Sequence, residues 1–120
     1  MTLRDAHTIL GWTVVVSNGL VGLWALAGHW LDAVRGRLLW IATAGAQVLV
    51  AVQVILGVIF MESSGIEASG IHQFYGYIAL LSVALIYSYR LQIERWLYLL
   101  YGFGGLFIMG LGLRSVFIAV

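Results

Sequence analysis

The chain has 120 residues, of which 62% are hydrophobic and 9% are charged, with no proline, no cysteine and a formal net charge of +1. This composition is far more apolar than that of an ordinary soluble domain. The small charge provides no basic patch for nucleic acid. The absence of cysteine excludes disulfides, iron–sulfur clusters and the covalent attachment of c-type haem.

Uncharged hydrophobic stretches recur along the chain, at about residues 6–31, 38–61, 68–89 and 96–113. Each is close to the ~20 residues that cross ~30 Å of hydrocarbon as a helix. The first stretch is too long for a signal peptide and has no small-residue cleavage site, so we expect it in the mature protein. We predict an all-α, integral membrane four-helix bundle. It is a single domain, 1–120, with spans at about 7–29, 38–61, 71–89 and 96–118.

Arginine, the only strong cation because lysine is absent, indicates the orientation of the spans. Arg35 and Arg37 lie in the first loop, and Arg90 and Arg95 flank the third. The second loop, ESSGIEASG at 62–70, carries two glutamates and no cation. By the positive-inside rule the first and third loops face the cytoplasm. We therefore predict a bundle with both termini outside (N-out/C-out).

Two similar segments open the first and third spans. HTILGW begins at His7 and HQFYGY begins at His72, and both read His, three residues, Gly, aromatic. One pair of spans separates them, which favours two helix hairpins related by a parallel repeat about the membrane normal. Because odd-numbered spans start on the same side, we expect both histidines at similar depth near the outer surface.

Helical spacing places small and polar residues on one face of each of the first three spans. The faces are His7, Gly11, Asn18, Gly22, Ala25 and His29; Ala42, Ala46, Gln53 and Gly57; and His72, Gly76, Ala79, Val83 and Tyr87. In lipid, small residues permit close helix packing and polar residues avoid the acyl chains. We expect these faces to form the bundle interior.

Two imidazoles at equal depth, each with a glycine one turn deeper, favour a clamp for a flat macrocycle. Each histidine would supply a nitrogen to the iron of a b-type haem, and each glycine would leave room for the porphyrin. Two arginines near the outer end would neutralise the haem propionates. The candidate cofactor site therefore comprises His7, His72, Gly11, Gly76, Arg114 and Arg4, with the two histidines as metal ligands and no catalytic residue.

Other interpretations of the same residues stay open. Histidines near helix ends also serve as polar residues at the membrane interface, as we expect of His29 beside Trp30. Met61 is an alternative axial ligand or a packing residue. The glycine-rich fourth span, YGFGGLFIMGLGLR, also suits a cofactor-free accessory or assembly subunit that packs against a larger membrane partner or in a homo-oligomer. A small transporter ranks third because no span is broken by proline.

The run QVILGVIFMESSGIEASGIHQFYGYIALL, from Gln53 to Leu81, resembles part of the four-helix halves of haem A synthase and related b-haem bundles. The HxxYG segment and the ending GLGLR at 110–114 are also similar to those of small prokaryotic four-span proteins. The resemblance implies that His72 is a haem ligand, whereas His7 departs from the synthase pattern. It also implies electron transfer or haem handling in a respiratory or redox complex of a prokaryotic plasma membrane, rather than an enzyme acting alone.

Overall fold

A computed structural model describes residues 2–119, which form four α-helices and contain no β-strand. Single 3₁₀ turns lie in the first and third connections, at Asp32–Val34 and Glu94–Trp96. The prediction of an all-α four-helix bundle is confirmed, and the predicted spans overlap the helices. The helices are α1 (Leu3–Trp30), α2 (Arg37–Ser64), α3 (Gly70–Tyr89) and α4 (Leu97–Ala119).

Local capping groups define the helix ends next to the two histidines. Before α1, the Thr2 hydroxyl accepts the backbone N–H of Asp5 at 3.2 Å, and the Asp5 carboxylate accepts the backbone N–H of Thr2. At the end of α2, Gly65 has a φ of 73°, a left-handed conformation that favours glycine. The Ser69 hydroxyl then accepts the backbone N–H of His72 at 3.1 Å. These caps set the short α2–α3 connection and the start of each histidine-bearing helix.

The outer surface of the bundle is apolar, as a membrane protein requires. All four helices are long and apolar enough to cross a bilayer, with mean hydropathies between 1.3 and 2.2. Large hydrophobic side chains point outward, including Leu20, Val48 and Phe103, which are 62%, 59% and 59% exposed. Hydrocarbon would solvate these side chains, and helices satisfy their own backbone hydrogen bonds in lipid. The chain is therefore a membrane protein in contact with the lipid bilayer.

The four helices pack unequally around the bundle. α1 packs chiefly against α4 and also against α2, α3 packs chiefly against α4, and the α2–α3 contact is the weakest of these four. The closest approach joins α1 to α4, where a Cβ atom on Gly22 would lie 2.9 Å from the backbone nitrogen of Leu106. A Cβ atom on Gly105 would lie 2.8 Å from the carbonyl oxygen of Asn18. Glycine thus lets the two backbones touch, and α1 and α3 occupy opposite corners.

The predicted interior face of α1 is correct at its centre. Gly11, Asn18, Gly22 and Ala25 are all buried. Asn18, which is 1% exposed, donates its amide to the carbonyl oxygen of Val14 at 3.0 Å and to that of Ala46, on α2, at 3.2 Å. A buried amide that bonds across two helices contributes both stability and register in lipid.

The predicted interior face of α3 is wrong at the C-terminal end of the helix. Tyr87 is 57% exposed, whereas the preceding Ile86 is 6% exposed. The reason is that α3 meets its neighbours through Ala79, Ser82 and Ile86, a face rotated from the one that begins at His72. The exposed ring of Tyr87 packs against the guanidinium group of Arg90, whose central carbon lies 3.7 Å from the ring centroid.

Candidate functional site

A cavity of about 740 Å³ opens at the end of the bundle where α1 and α3 begin and α2 and α4 end, here called the histidine end. Residues from all four helices line it, together with the α2–α3 connection. Five of the six predicted site residues are in the lining: His7, His72, Gly11, Gly76 and Arg4. Its volume lies within the ~300–1,000 Å³ typical of small-molecule and cofactor sites.

The two histidine rings meet across this cavity from opposite corners of the bundle. The ring centroids of His7 and His72 are 6.2 Å apart, and the ring planes make an angle of 70°. Neither Nε2 atom has a hydrogen-bond partner within residues 2–119, and neither is fully buried, so both nitrogens border open space. Two imidazoles that bind one iron from opposite sides, at ~2 Å each, place their ring centroids ~6 Å apart.

His72 is held in place by Ser115 of α4. Its Nδ1 atom lies 3.0 Å from both the carbonyl oxygen and the hydroxyl oxygen of Ser115. In the tautomer that carries the proton on Nδ1, the ring donates to the carbonyl oxygen and leaves the lone pair of Nε2 free. Histidines that bind metals commonly have this second hydrogen bond, which fixes both tautomer and ring orientation.

His7 is held by α2 through two reciprocal contacts between helices. A Cβ atom on Gly57 would lie 3.0 Å from Cε1 of His7, so the ring rests directly over this glycine. One turn deeper, a Cβ atom on Gly11 would lie 3.1 Å from Nε2 of Gln53, which donates to the carbonyl oxygen of His7 at 2.7 Å. Each helix thus supplies one glycine that receives a polar side chain of the other.

The two predicted glycines therefore differ in their surroundings. Gly11 borders the cavity, but the space beside it is taken by the amide of Gln53 and by Val116. At Gly76, a Cβ atom would meet no heavy atom within 4 Å, so this glycine faces free space beside His72. Gly57 provides the room next to His7.

Polar atoms at the site are incompletely paired. Nδ1 of His7 and Oε1 of Gln53 are both buried and have no hydrogen-bond partner within residues 2–119. One is a potential donor and the other an acceptor, and both belong to side chains that line the cavity. A buried polar atom without a partner is costly, so these two atoms destabilise the site as it stands.

The two predicted cationic residues lie at different places. Arg4 is exposed and lines the cavity together with Glu67. Arg114 is exposed and does not line the cavity. Its guanidinium carbon lies 5.9 Å from the ring centroid of Tyr75, a residue that does line the cavity. Arg4 therefore supplies a cation at the mouth of the cavity. Arg114 does not border the cavity itself but lies near Tyr75, which does.

Two residues considered as alternatives have other contacts. Met61 lines the cavity, but its sulfur accepts the backbone N–H of Ala68 at 3.4 Å and so helps to hold the α2–α3 connection. His29 lies at the opposite end of the bundle, where its ring packs edge-on against Trp30 and stacks on Trp96. Neither arrangement brings a further ligand to the two histidines.

The donor set limits which metal centre the site suits. Within residues 2–119, no group of three or more His, Cys, Asp or Glu side chains is placed to hold a metal ion. Two imidazoles alone would leave most positions of a bare ion without protein ligands. Two are sufficient when a macrocycle supplies four nitrogens, because the protein then provides only axial ligands.

Comparison with known proteins identifies no family. No protein-family model, curated protein or solved structure matched the chain. The similarity of residues 53–81 to haem A synthase thus remains a resemblance in sequence pattern.

Ser115 and Gly57 were not predicted as site residues. Ser115 had one local signal, because it is a polar residue within the apolar fourth span, and Gly57 was recognised only as a small residue facing the interior.

Proposed function

We propose that the chain binds one b-type haem in the cavity at the histidine end, with His7 and His72 as axial ligands. The single observation that carries the proposal is the pair of imidazoles 6.2 Å apart in a cavity of about 740 Å³. The protein would serve electron transfer or haem handling, as part of a larger respiratory or redox membrane complex. We assign it no catalytic residue of its own.

The residues around the cavity fit this group in several respects. Ser115 orients His72, so that Nε2 borders the cavity. Gly57 seats the ring of His7, and the open space at Gly76 lies beside His72. Arg4 supplies a cation for a propionate at the mouth. A bound haem would supply one-electron exchange between ferric and ferrous iron, and the protein would hold it, restrict water and orient both ligands.

The orientation of the bundle is part of the proposal. The four arginines Arg35, Arg37, Arg90 and Arg95 all lie at or beside the two connections opposite the histidine end. If these connections face the cytoplasm, the haem lies near the outer face of a plasma membrane. The expected electron partner would then approach from outside or from within the outer leaflet.

A cofactor-free accessory subunit is the second candidate, and one observation favours it. The hydrogen bond between His72 and Ser115 joins α3 to α4 and would strengthen helix packing without any ligand. The glycine-rich fourth span, however, is largely accounted for within the chain. Gly102 and Gly105 pack against α1, and Gly104 packs against Ile86 of α3.

The two candidates are separated by absorption spectra of the purified protein, oxidised and after reduction with dithionite. Haem binding predicts the sharp reduced bands of a six-coordinate b-type haem. His7→Ala and His72→Ala should each lose haem or give a weakly held five-coordinate form, because each removes one axial ligand. His29→Ala, at the far end, is the matched control and should be unchanged.

Three results would contradict the proposal. A folded, purified protein that takes up no added haem would favour the accessory subunit. A His7→Ala variant with an unchanged six-coordinate spectrum would exclude His7 as a ligand and direct attention to Met61. Equal loss of haem in His29→Ala would show that the loss is not specific to His7 and His72, and so would remove the assignment of these two residues as the axial ligands.

A further inference from the structure

The cavity at the histidine end has four side boundaries, one between each pair of neighbouring helices, and a specific contact fastens three of them. The contacts are Gln53 with His7 between α1 and α2, His72 with Ser115 between α3 and α4, and Trp12 with Phe117 between α1 and α4. The first two are hydrogen bonds of 2.7 and 3.0 Å, and in the third the rings pack edge-on with their centroids 6.2 Å apart. These three boundaries are therefore held closed beside the cavity.

The fourth boundary, between α2 and α3, has no such contact. Among the residues that the structure describes, no side-chain hydrogen bond and no aromatic pair joins these two helices, and their packing is the weakest of the four. At Gly76 of α3, one turn from His72, a Cβ atom would meet no heavy atom within 4 Å. The two helices therefore leave a gap beside His72.

This gap joins the cavity to the outer surface of the bundle. Val58 of α2 and Tyr77 of α3 both line the cavity, and they are also 36% and 49% exposed. Val58 follows Gly57, on which the ring of His7 rests, so it points about 100° away from the face that meets α1. Because both helices are membrane spans, side chains exposed here face hydrocarbon. The gap is here called the α2–α3 side opening.

The end of the cavity that faces water has a different character. The α2–α3 connection lines it and is fixed at Ala68, whose N–H donates to the sulfur of Met61 at 3.4 Å and whose carbonyl oxygen accepts from Nε2 of Gln73 at 2.9 Å. Arg4 and Glu67, both exposed, add charge to the same end. An apolar ring that comes from lipid reaches the cavity through the side opening without crossing water or this charged end.

We infer that the ligand of this cavity enters sideways from the bilayer, through the α2–α3 side opening, and so belongs to the class of planar amphiphiles that dissolve in lipid. The inference rests on the proposed function, because it takes this ligand to be haem, a flat apolar ring with carboxylates on one edge. The ring would pass between Val58 and Tyr77, while the carboxylates stay at the membrane surface and reach Arg4. Val58 and Tyr77 would then control how fast the ligand enters and leaves, rather than how tightly the two histidines hold it.

Rates of haem binding in vesicles test this route. Ferric haem is added to the full chain in phosphatidylcholine vesicles, where it partitions into the lipid, and uptake is followed by absorption. Release is followed after excess apomyoglobin is added to trap haem in the aqueous phase. Val58→Trp places a bulky side chain in the side opening, so both rates should fall about tenfold. Ile59→Trp is the matched control and should leave both rates unchanged, because Ile59 is the next residue, is 46% exposed and does not line the cavity.

A variant in the opposite direction makes the test independent of any folding defect in Val58→Trp. Tyr77→Ala widens the side opening, so it should raise both rates about threefold. Phe74→Ala is its control, because Phe74 lies on the same helix, is 58% exposed and does not line the cavity. It should change neither rate.

The outcomes separate this inference from the proposed function. Failure of the unmodified protein to bind haem would refute the proposed function, and this inference with it. If the unmodified protein binds haem, unchanged rates in Val58→Trp and Tyr77→Ala would overturn the inference alone and assign uptake to the water-facing end. Slower uptake with faster release in Val58→Trp would also overturn it, because the new side chain would then only occupy the ligand's space. So would equal changes in the two control variants.

Discussion

Replacing Gly57 by alanine tests whether the seat of His7 controls the proposed haem site. The new Cβ atom would lie 3.0 Å from Cε1 of His7, whereas ordinary carbon contacts are ~3.5–4.0 Å. The ring must therefore retreat by ~0.5–1 Å. It borders the cavity and has room to do so. Metal–ligand distances tolerate only about ±0.2 Å, so the axial bond from His7 should be strained or lost.

We expect Gly57→Ala to bind haem about tenfold more weakly, which corresponds to ~1.4 kcal/mol. The fold should survive, because alanine is favoured over glycine inside a helix by ~1 kcal/mol. The assay is a titration of ferric haem into purified protein, followed by absorption, with helicity checked by circular dichroism. Gly45→Ala is the control, since it lies on the same helix and a Cβ atom there meets nothing within 4 Å. Unchanged affinity in Gly57→Ala, or an equal loss in Gly45→Ala, would refute the reasoning.

Two further predictions concern the bundle as a whole. Gly22→Ala should separate α1 from α4 and destabilise the protein by ~1–3 kcal/mol, measured as a lower thermal midpoint in detergent, because a Cβ atom would lie 2.9 Å from the Leu106 nitrogen. Gly110→Ala, where nothing lies within 4 Å, should not, and equal midpoints for both variants would contradict the close approach. Since the chain has no cysteine, Ser63→Cys should react with an impermeant maleimide on intact cells and Ala33→Cys only after lysis. The reverse pattern would place the histidine end in the cytoplasm.

The helices and the interior face of α1 were predictable because they depend on residues close together in the sequence. Length and hydropathy identify the spans, and the small-residue period that includes Gly11, Asn18 and Gly22 marks the buried face. Hydropathy and residue spacing do not predict which pairs of helices are in contact. The prediction for Tyr87 failed for this reason, since the face of α3 is set by its contact with α4.

In the candidate site, too, the features that depend on local sequence were predictable, and those that depend on contacts between helices were not. The repeated His and Gly pattern identified the two histidines, and the structure brings their rings together. The pattern gave both glycines one role, yet Gly11 receives Gln53 whereas Gly76 faces open space. Ser115 and Gly57 belong to neighbouring helices, and their importance arises only from packing between elements far apart in sequence.

The glycine contact between α1 and α4 also affects the order in which the bundle can be assembled. α1 has its most extensive contact with α4, which is synthesised after α2 and α3. Until α4 has been synthesised and inserted, the surface around Gly19 and Gly22 lacks the α4 residues that pack against it, such as Gly105 and Met109. While α2 and α3 are being made, the glycine surface of α1 therefore stays exposed, and the four-helix bundle closes only once α4 has been inserted.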